Sequence, residues 1–477
     1  YCPLETHMAS DNHITRMIAG FRNCFKIPEL SERIIFTLLV LAVCRLIAWV
    51  PIPGLDGVEL QSYFDDLRDK QDGGLGFMGM YSMFTGGAWE RCSIGGLGIM
   101  PYISATIILQ LMSPIIPRLS RLSREEGGRV KIMQIGRVMT LFLCLGQGYV
   151  MSLGWLSPNS VFGNWTGGDL VLNPGFWYHL QTMMALTCGT LLLMWLGEQI
   201  TERGIGNGVS LVITIGIVAD LPRALPMIWD MFGPNTPEDG HGMFEGIFLV
   251  ILLLAVVAGV VAVTQAQRKV PVQHAQRAVG RKVYAGGSSF MPLRVNYSGV
   301  MPLIFAQAIL MFPGMVLNGL GGSLDDANFL KDYVQTASAW FQPGHPFYYL
   351  TYSLMIMFFA YFWVATTFNE IEIADNLKKN GGYIPGIRPG KATSDFLHRT
   401  MSRITFAGAV FLVIIALIPM LLGLWRNIPY QVTQFFGGTS ILIAVGVTID
   451  TMRQMESYLL MRHYDGFLRK GRVRGRF

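Results

Sequence analysis

Apolar runs of about bilayer length recur along the whole chain. A hydrocarbon core of roughly 30 Å takes about 20 helical residues to cross, and stretches of that kind lie at 34–50, 94–113, 131–153, 177–197, 208–231, 244–265, 298–320, 347–368, 403–425 and 435–453. They predict ten spans. The polar stretches between them alternate in sign. Those after the second, sixth and eighth runs are basic, carrying Arg118, Arg121, Arg124 and Arg129, then Arg268, Lys269, Arg277, Arg281, Lys282 and Arg294, then Lys378, Lys379, Arg388, Lys391 and Arg399. The stretches after the first, fifth and seventh runs are acidic or neutral, with Asp56, Glu59, Asp65, Asp66, Asp69 and Asp72, then Glu238 and Asp239, then Asp325, Asp326 and Asp332. Because Lys and Arg are retained on the cytoplasmic face, both termini are expected there, which requires an even number of spans.

Two runs repeat each other. Gly98-Ile99-Met100-Pro101-Tyr102-Ile103 in the second is echoed by Gly299-Val300-Met301-Pro302-Leu303-Ile304 in the seventh, with the prolines in register. A weaker echo ties Gly208-Val209-Ser210-Leu211-Val212-Ile213 in the fifth to Gly438-Thr439-Ser440-Ile441-Leu442-Ile443 in the tenth. Both pairs are five runs apart, and an odd number of spans per half inverts one half relative to the other. The expected fold is an all-α polytopic membrane protein of ten transmembrane helices in two five-helix inverted-repeat halves, 27–243 and 244–453. The echoed segments share aliphatic residues beside Gly and Pro, on helices that such symmetry brings to a common axis. An apolar constriction would exclude water and ions by dewetting. Ordinary helix packing accounts for the same pattern equally well from these residues alone.

Composition agrees with the runs. The 477 residues are 51% hydrophobic and 14% charged, with a mean hydropathy of +0.41, whereas a soluble domain carries about 25% charged residues. The six cysteines, Cys2, Cys24, Cys44, Cys92, Cys144 and Cys188, form no CxxC pair, and several sit in apolar runs as small hydrophobes. No metal, disulfide framework or cofactor is expected. Tyr1–Asn12 has no usable pattern and is set aside as an expression remnant or misplaced start, so 1–26 is read as an N-terminal cytoplasmic segment and 454–477 as a basic cytoplasmic tail. The histidines are scattered, HExxH and GxSxG are absent, and neither Gly386–Lys391 nor Gly204–Gly208 has the context of a nucleotide-binding loop. Catalysis has no support. Ionisable residues inside the runs are few: Arg45 is read as snorkelling from the first, with Glu198, Asp220 and Asp450 as anchors near span ends.

In its residues the chain resembles the SecY/Sec61α family of translocon subunits, in the bacterial branch, from about Ile27 to Leu468. The segments that carry the likeness are Ile52-Pro53-Gly54, Met83–Ala88, Leu97–Ser104, Trp195–Gly208, Pro292–Asn296, Ala374–Lys379, Gly386–Gly390 and Phe436–Ser440, all in order relative to the spans. One departure is Thr264-Gln265-Ala266, where an acidic approach to the basic loop is expected; another is Val209, where many relatives have Ile.

The resemblance implies a clamshell of two halves around a central pore for unfolded polypeptide, with a lateral gate between the second and third spans and the seventh and eighth. It assigns a pore ring to Ile99, Ile103, Val209, Ile213, Ile304 and Ile443, and a plug to about 75–91, represented by Met80, Tyr81, Met83, Phe84, Thr85, Gly86 and Gly87. The cytoplasmic loops 266–297 and 369–402 would bind the motor ATPase SecA or the ribosome through Arg277, Arg281, Lys282, Arg388 and Lys391; the first of them contains no Asp or Glu, which suits an acidic partner or ribosomal RNA. SecE and SecG are the implied small subunits, signal peptides and nascent chains the cargo, and the bacterial inner membrane with its lipids the location. The competing class is an inverted-repeat transporter of small solutes, which needs a polar site at the midplane; a lipid-modifying enzyme would need a clustered polar site.

Overall fold

The computed structural model describes residues 27–69, 76–125, 127–158, 165, 167–168, 170–232, 243–274, 277–279, 282–284, 287–323, 329–341, 344–426, 432 and 439–470. The segment 1–26, Arg281 and the last seven residues, where expectations were stated, lie outside this set. The first span is α1 (Pro28–Ile47), followed by α2 (Gly57–Asp69) and α3 (Gly76–Thr85). The second is α4 (Met100–Ile115), and the charged α5 (Pro117–Arg124) leads to α6 (Gly128–Leu156), α7 (Phe176–Arg203) and α8 (Gly208–Phe232). After α9 (Met243–Gln265) come β1 (Gln267–His274), β2 (Arg277–Val279), β3 (Lys282–Tyr284) and β4 (Ser288–Arg294). Then α10 (Met301–Ser323), α11 (Phe329–Trp340), α12 (Pro346–Thr367), α13 (Glu370–Lys379), β5 (Gly382–Tyr383), α14 (Lys391–Arg426) and α15 (Thr439–Lys470) complete the order.

Five stretches of helix are long and apolar enough to cross a bilayer: Val130–Leu156, Phe176–Arg203, Phe244–Gln265, Pro346–Lys379 and Lys391–Leu422. Shorter apolar helices occur at Met100–Ser113, Gly208–Ala219 and Met301–Leu310, which are three of the four echoed segments. The helix in the second run starts at Met100 rather than at 94, because Gly95, Gly96 and Gly98 break the run and Gly98 is left-handed at φ +58°. The seventh run behaves identically: Gly299 stands at φ +62° and the helix begins at Met301. In both, a proline occupies the first turn, where its missing N–H costs nothing. At about 1.5 Å per residue, the 16 residues of α4 reach roughly 24 Å, short of a full crossing of a core of about 30 Å.

Helix packing repeats at the same five-span offset. Helix α1 packs on α7 and α8 as α9 packs on α14 and α15, while α4–α6 and α6–α7 contacts recur as α10–α12 and α12–α14. Between the halves, α4 meets α10 and α8 meets α15 and α9. The segments that echo each other in sequence therefore face each other in space. Close approach depends on small residues, as it must where lipid supplies no hydrophobic drive between helices: a Cβ on Gly208 would collide with the carbonyl of Gly197. One buried cluster runs through both halves, joining Ile99, Ile103, Ile213, Ile304 and Ile443 with Leu303, Phe305 and Leu442.

The helical membrane body is as expected; the charged loops add a small sheet that the reading as loops omitted. Strands β4, β1 and β5 form it in that order, with β1 antiparallel to both neighbours, so that β5 joins the second loop to the first through Gln273 and His274. Beneath it Val270, Leu293, Phe368, Ile384, Leu397, Met401 and Ile404 form a separate buried cluster.

Candidate functional site

Five of the six residues expected in the ring, Ile99, Ile103, Ile213, Ile304 and Ile443, are buried, the last two at 1% and 0% exposure, and Val209 packs against the same cluster. They separate two unequal spaces. A cavity of about 240 Å³ is lined by Ile103, Val209, Ile213 and Ile304 together with Tyr102, Gln110, Glu198, Asn207, Phe305 and Trp363. Beyond Ile99 lies a space of only about 30 Å³, walled by Cys44, Arg45, Phe84, Thr85, Gly98 and Gly216. The second has room for about two waters at most. A third cavity, about 440 Å³, opens on the sheet side between Asn207, Arg294, Asn296, Gly299, Asp450 and Arg453.

The small space is closed by the segment around α3. Tyr81, Phe84, Thr85, Gly86 and Gly87 are all buried; Met80 and Met83 lie on α3 with side chains outside the described set. The helix ends in a Schellman turn, with Gly86 left-handed at φ +64° and the Gly87 N–H bonded to the Ser82 carbonyl at 2.8 Å. Within the segment Ser82 donates to the buried carboxylate of Glu90, and Trp89 Nε1 donates to Met151 Sδ on α6 at 3.1 Å. Burial pushes the Tyr81 hydroxyl and the Cys92 thiol well above their ordinary ranges, which keeps both protonated.

Two charged groups, Arg45 and Glu198, lie deeper than anchors at a span end would. Arg45 turns inward, its Nη1 donating to the Gly86 carbonyl at 2.8 Å. Glu198 is held from α6 by Arg137, whose Nε and Nη2 reach its two carboxylate oxygens at 3.1 and 2.7 Å. Asp450, half exposed as an anchor near a span end would be, lines the 440 Å³ cavity with Arg294 and lies 3.9 Å from Arg453. An Arg in an apolar run is costly unless it finds a partner, and that cost was the sequence signal for Arg45. The glycine-rich turn 204–208 is likewise engaged within the chain: Thr37 Oγ1 accepts from Ile205 N, Gln454 Oε1 from Gly206 N and Thr201 Oγ1 from Gly208 N. Those amides offer no phosphate cradle. Among the described residues no group of His, Cys, Asp and Glu is placed to hold a metal ion.

The basic positions of the loops are placed unevenly. Arg277 and Lys282 lie on β2 and β3 with side chains outside the described set, as is all of Arg281. Arg388 and Lys391 are exposed in a turn that left-handed Gly386 and Gly390 permit and Pro389 stiffens, and the Arg388 carbonyl accepts from Thr393 Oγ1 at 3.0 Å.

The family model described as SecY matches residues 93–452. The chain belongs to the SecY family. The SecY translocase subunit of Chlamydia muridarum is 40% identical over 468 residues, covering 96% of this chain and 100% of the relative. The SecY fold is also evident in solved structures. A study of the SecY plug domain and its membrane seal matches with a TM-score of 0.57 at 18% identity, covering 93% of this chain and 94% of the other. The ribosome-bound channel of canine endoplasmic reticulum matches with a TM-score of 0.53 at 16% identity, over 93% and 94%. Those likenesses concern the fold. The repeated apolar helices and SecY membership make this a multi-pass membrane protein.

Proposed function

We propose that this chain is the pore subunit of a protein translocase, a passive gated channel that passes unfolded polypeptides across the membrane and releases apolar segments sideways into lipid. The observation that carries the reading is the aliphatic partition between the 240 Å³ and 30 Å³ spaces, built from the facing members of two sequence echoes. Ile99, Ile103, Val209, Ile213, Ile304 and Ile443 form the ring. A neck of this kind offers no fixed charge to hold a passing chain, yet resists wetting when empty. The segment 75–91 is the plug on its outer face. The halves 27–243 and 244–453 part at the lateral gate, where α4 meets α10, and the larger cavity with Phe305 and Trp363 receives signal peptides and nascent segments.

The loops 266–297 and 369–402 face the cytoplasm with both termini, in a bacterial inner membrane. They dock SecA or a ribosome through Arg277, Arg281, Lys282, Arg388 and Lys391, and SecE and SecG complete the complex. A ribosome-bound channel of the same fold supports this docking role. A solute transporter is disfavoured because, of the two carboxylates lining the gate cavity, the buried one, Glu198, is already paired with Arg137, while Glu202 is exposed. The test is reconstitution of the purified complex in liposomes: an unfolded precursor should enter only with the motor ATPase and ATP. Uptake of a small solute without any such precursor transport would sink the proposal.

A further inference from the structure

We infer that Arg45 is the latch of the plug: a cation on α1 that holds the C-terminal end of α3 against the outer face of the neck. This rests on the plug reading above. The carbonyl groups at a helix C-terminus lack intrahelical donors and carry the negative end of the helix dipole. For α3 the glycine turn leaves the Gly86 carbonyl directed at Arg45, which donates to it at 2.8 Å. Arg45 lines the 30 Å³ space, whose other walls include Phe84 and Thr85 of the plug, Ile99 of the ring and Gly216 of α8.

The glycines there serve the same contact. A Cβ on Gly86 would overlap Arg45 Nη1 and come within 2.9 Å of Gly216 Cα, and a Cβ on Gly216 would press on the Phe84 carbonyl at 3.2 Å. The plug is thus drawn close enough for a guanidinium to reach its backbone only because both facing positions lack side chains. A charge-assisted bond at a half-buried site is stronger than a neutral one, and it joins an element fixed in the bundle to one that must move. Displacing α3 breaks this bond along with the close backbone packing around it, so leaving the seat is opposed until something wider occupies the pore.

The test uses the full-length chain in its purified complex in liposomes, with Arg45→Met, Arg45→Lys and a deletion of residues 76–85, and reads chloride leak with no precursor present. A second readout is modification of Phe84→Cys by a membrane-impermeant thiol reagent, with the same protein lacking that substitution as background. Arg45→Met should raise both leak and labelling roughly tenfold, the scale of a lost hydrogen bond to a charged group, while Arg45→Lys stays close to the parent. A thermal midpoint lowered equally in Arg45→Met and Arg45→Lys, with labelling unchanged, would reduce Arg45 to a structural residue and overturn the latch. Leak from the deletion but not from Arg45→Met would also overturn it. A deletion as tight as the parent would overturn the plug reading itself, and the latch with it.

Discussion

On the α3 side of Ile99 the described residues enclose a space of about 30 Å³, while on the sheet side cavities of about 240 and 440 Å³ open between the halves. The walls differ in kind as well. The tight side is backbone against backbone, Gly86 on Gly216, with Arg45 reaching across to a carbonyl. The wide side is lined by side chains that tolerate water, among them Gln110, Glu198, Asn207, Arg294 and Asp450. A wet vestibule can accept a polar, unfolded chain without prior rearrangement, whereas close-packed elements resist gradual deformation and shift between discrete arrangements. The contrast assigns entry to one side and sealing to the other.

The sharpest way to break this contrast is to wet the partition itself. Replacing both Ile103 and Ile304 with Ser should raise resting ion leak of reconstituted vesicles by roughly hundredfold, equivalent to about 2.7 kcal/mol off the barrier to permeation. Unchanged leak would mean that these side chains do not form the neck. Next in size is Gly86→Ala, which attacks the tight side alone. An L-residue at φ +64° costs about 1–2 kcal/mol before the overlap with Arg45 is counted, so the displaced plug should become roughly tenfold more populated. The expected sign is a leaky but translocation-competent channel, read by chloride flux together with precursor import. Leak as low as the parent's would show that the glycine contact does not hold the seal.

How far the sequence foretold each side follows from what kind of force shapes it. The spans were legible because lipid demands long apolar runs, and the pairing of α4 with α10 and α8 with α15 followed from Pro101 with Pro302 and from Ile213 with Ile443. The late start of α4 was also written in Gly98 and Pro101, although hydropathy alone extended the run back to 94. The sheet was obscured by its charges: Lys269 to Val272 alternates exposed and buried, the period of a strand, but reads first as a basic loop. Arg45 was missed for a different reason. The bond that turns it inward is to a backbone carbonyl, presented by a turn that exists only once α3 has folded against α8, and no side-chain pattern encodes such an acceptor.

A smaller effect is expected at the far end of the wide side, where Arg388 stands exposed in its turn between Gly386 and Gly390. Arg388→Glu should weaken binding of SecA or ribosomes to the reconstituted complex by roughly tenfold, about 1.4 kcal/mol, as a reversed charge at an interface rim does. Insertion of the chain and resting tightness should not change. The variant separates docking from sealing, and full binding by it would remove this turn from the docking surface.

The smallest effect probes whether the wide cavity keeps its shape through one ion pair in its wall. Glu198 has a side chain only 9% exposed, and Arg137, at 44%, covers both of its oxygens. Removing the cation leaves a buried carboxylate without its main partner, a penalty of 3–5 kcal/mol in a fully buried pair. Water reaches this guanidinium, however, and screening reduces the figure to about 1–2 kcal/mol. Arg137→Met should therefore lower the thermal midpoint by a few degrees, and Arg137→Met with Glu198→Gln should recover part of that loss, because most of the cost is the stranded charge rather than the missing bond. A double variant whose destabilisation equals the sum of the two single ones would show no coupling. The pair would then be an incidental neighbour of the cavity, and the wide side would owe its form to helix packing alone, as the tight side does.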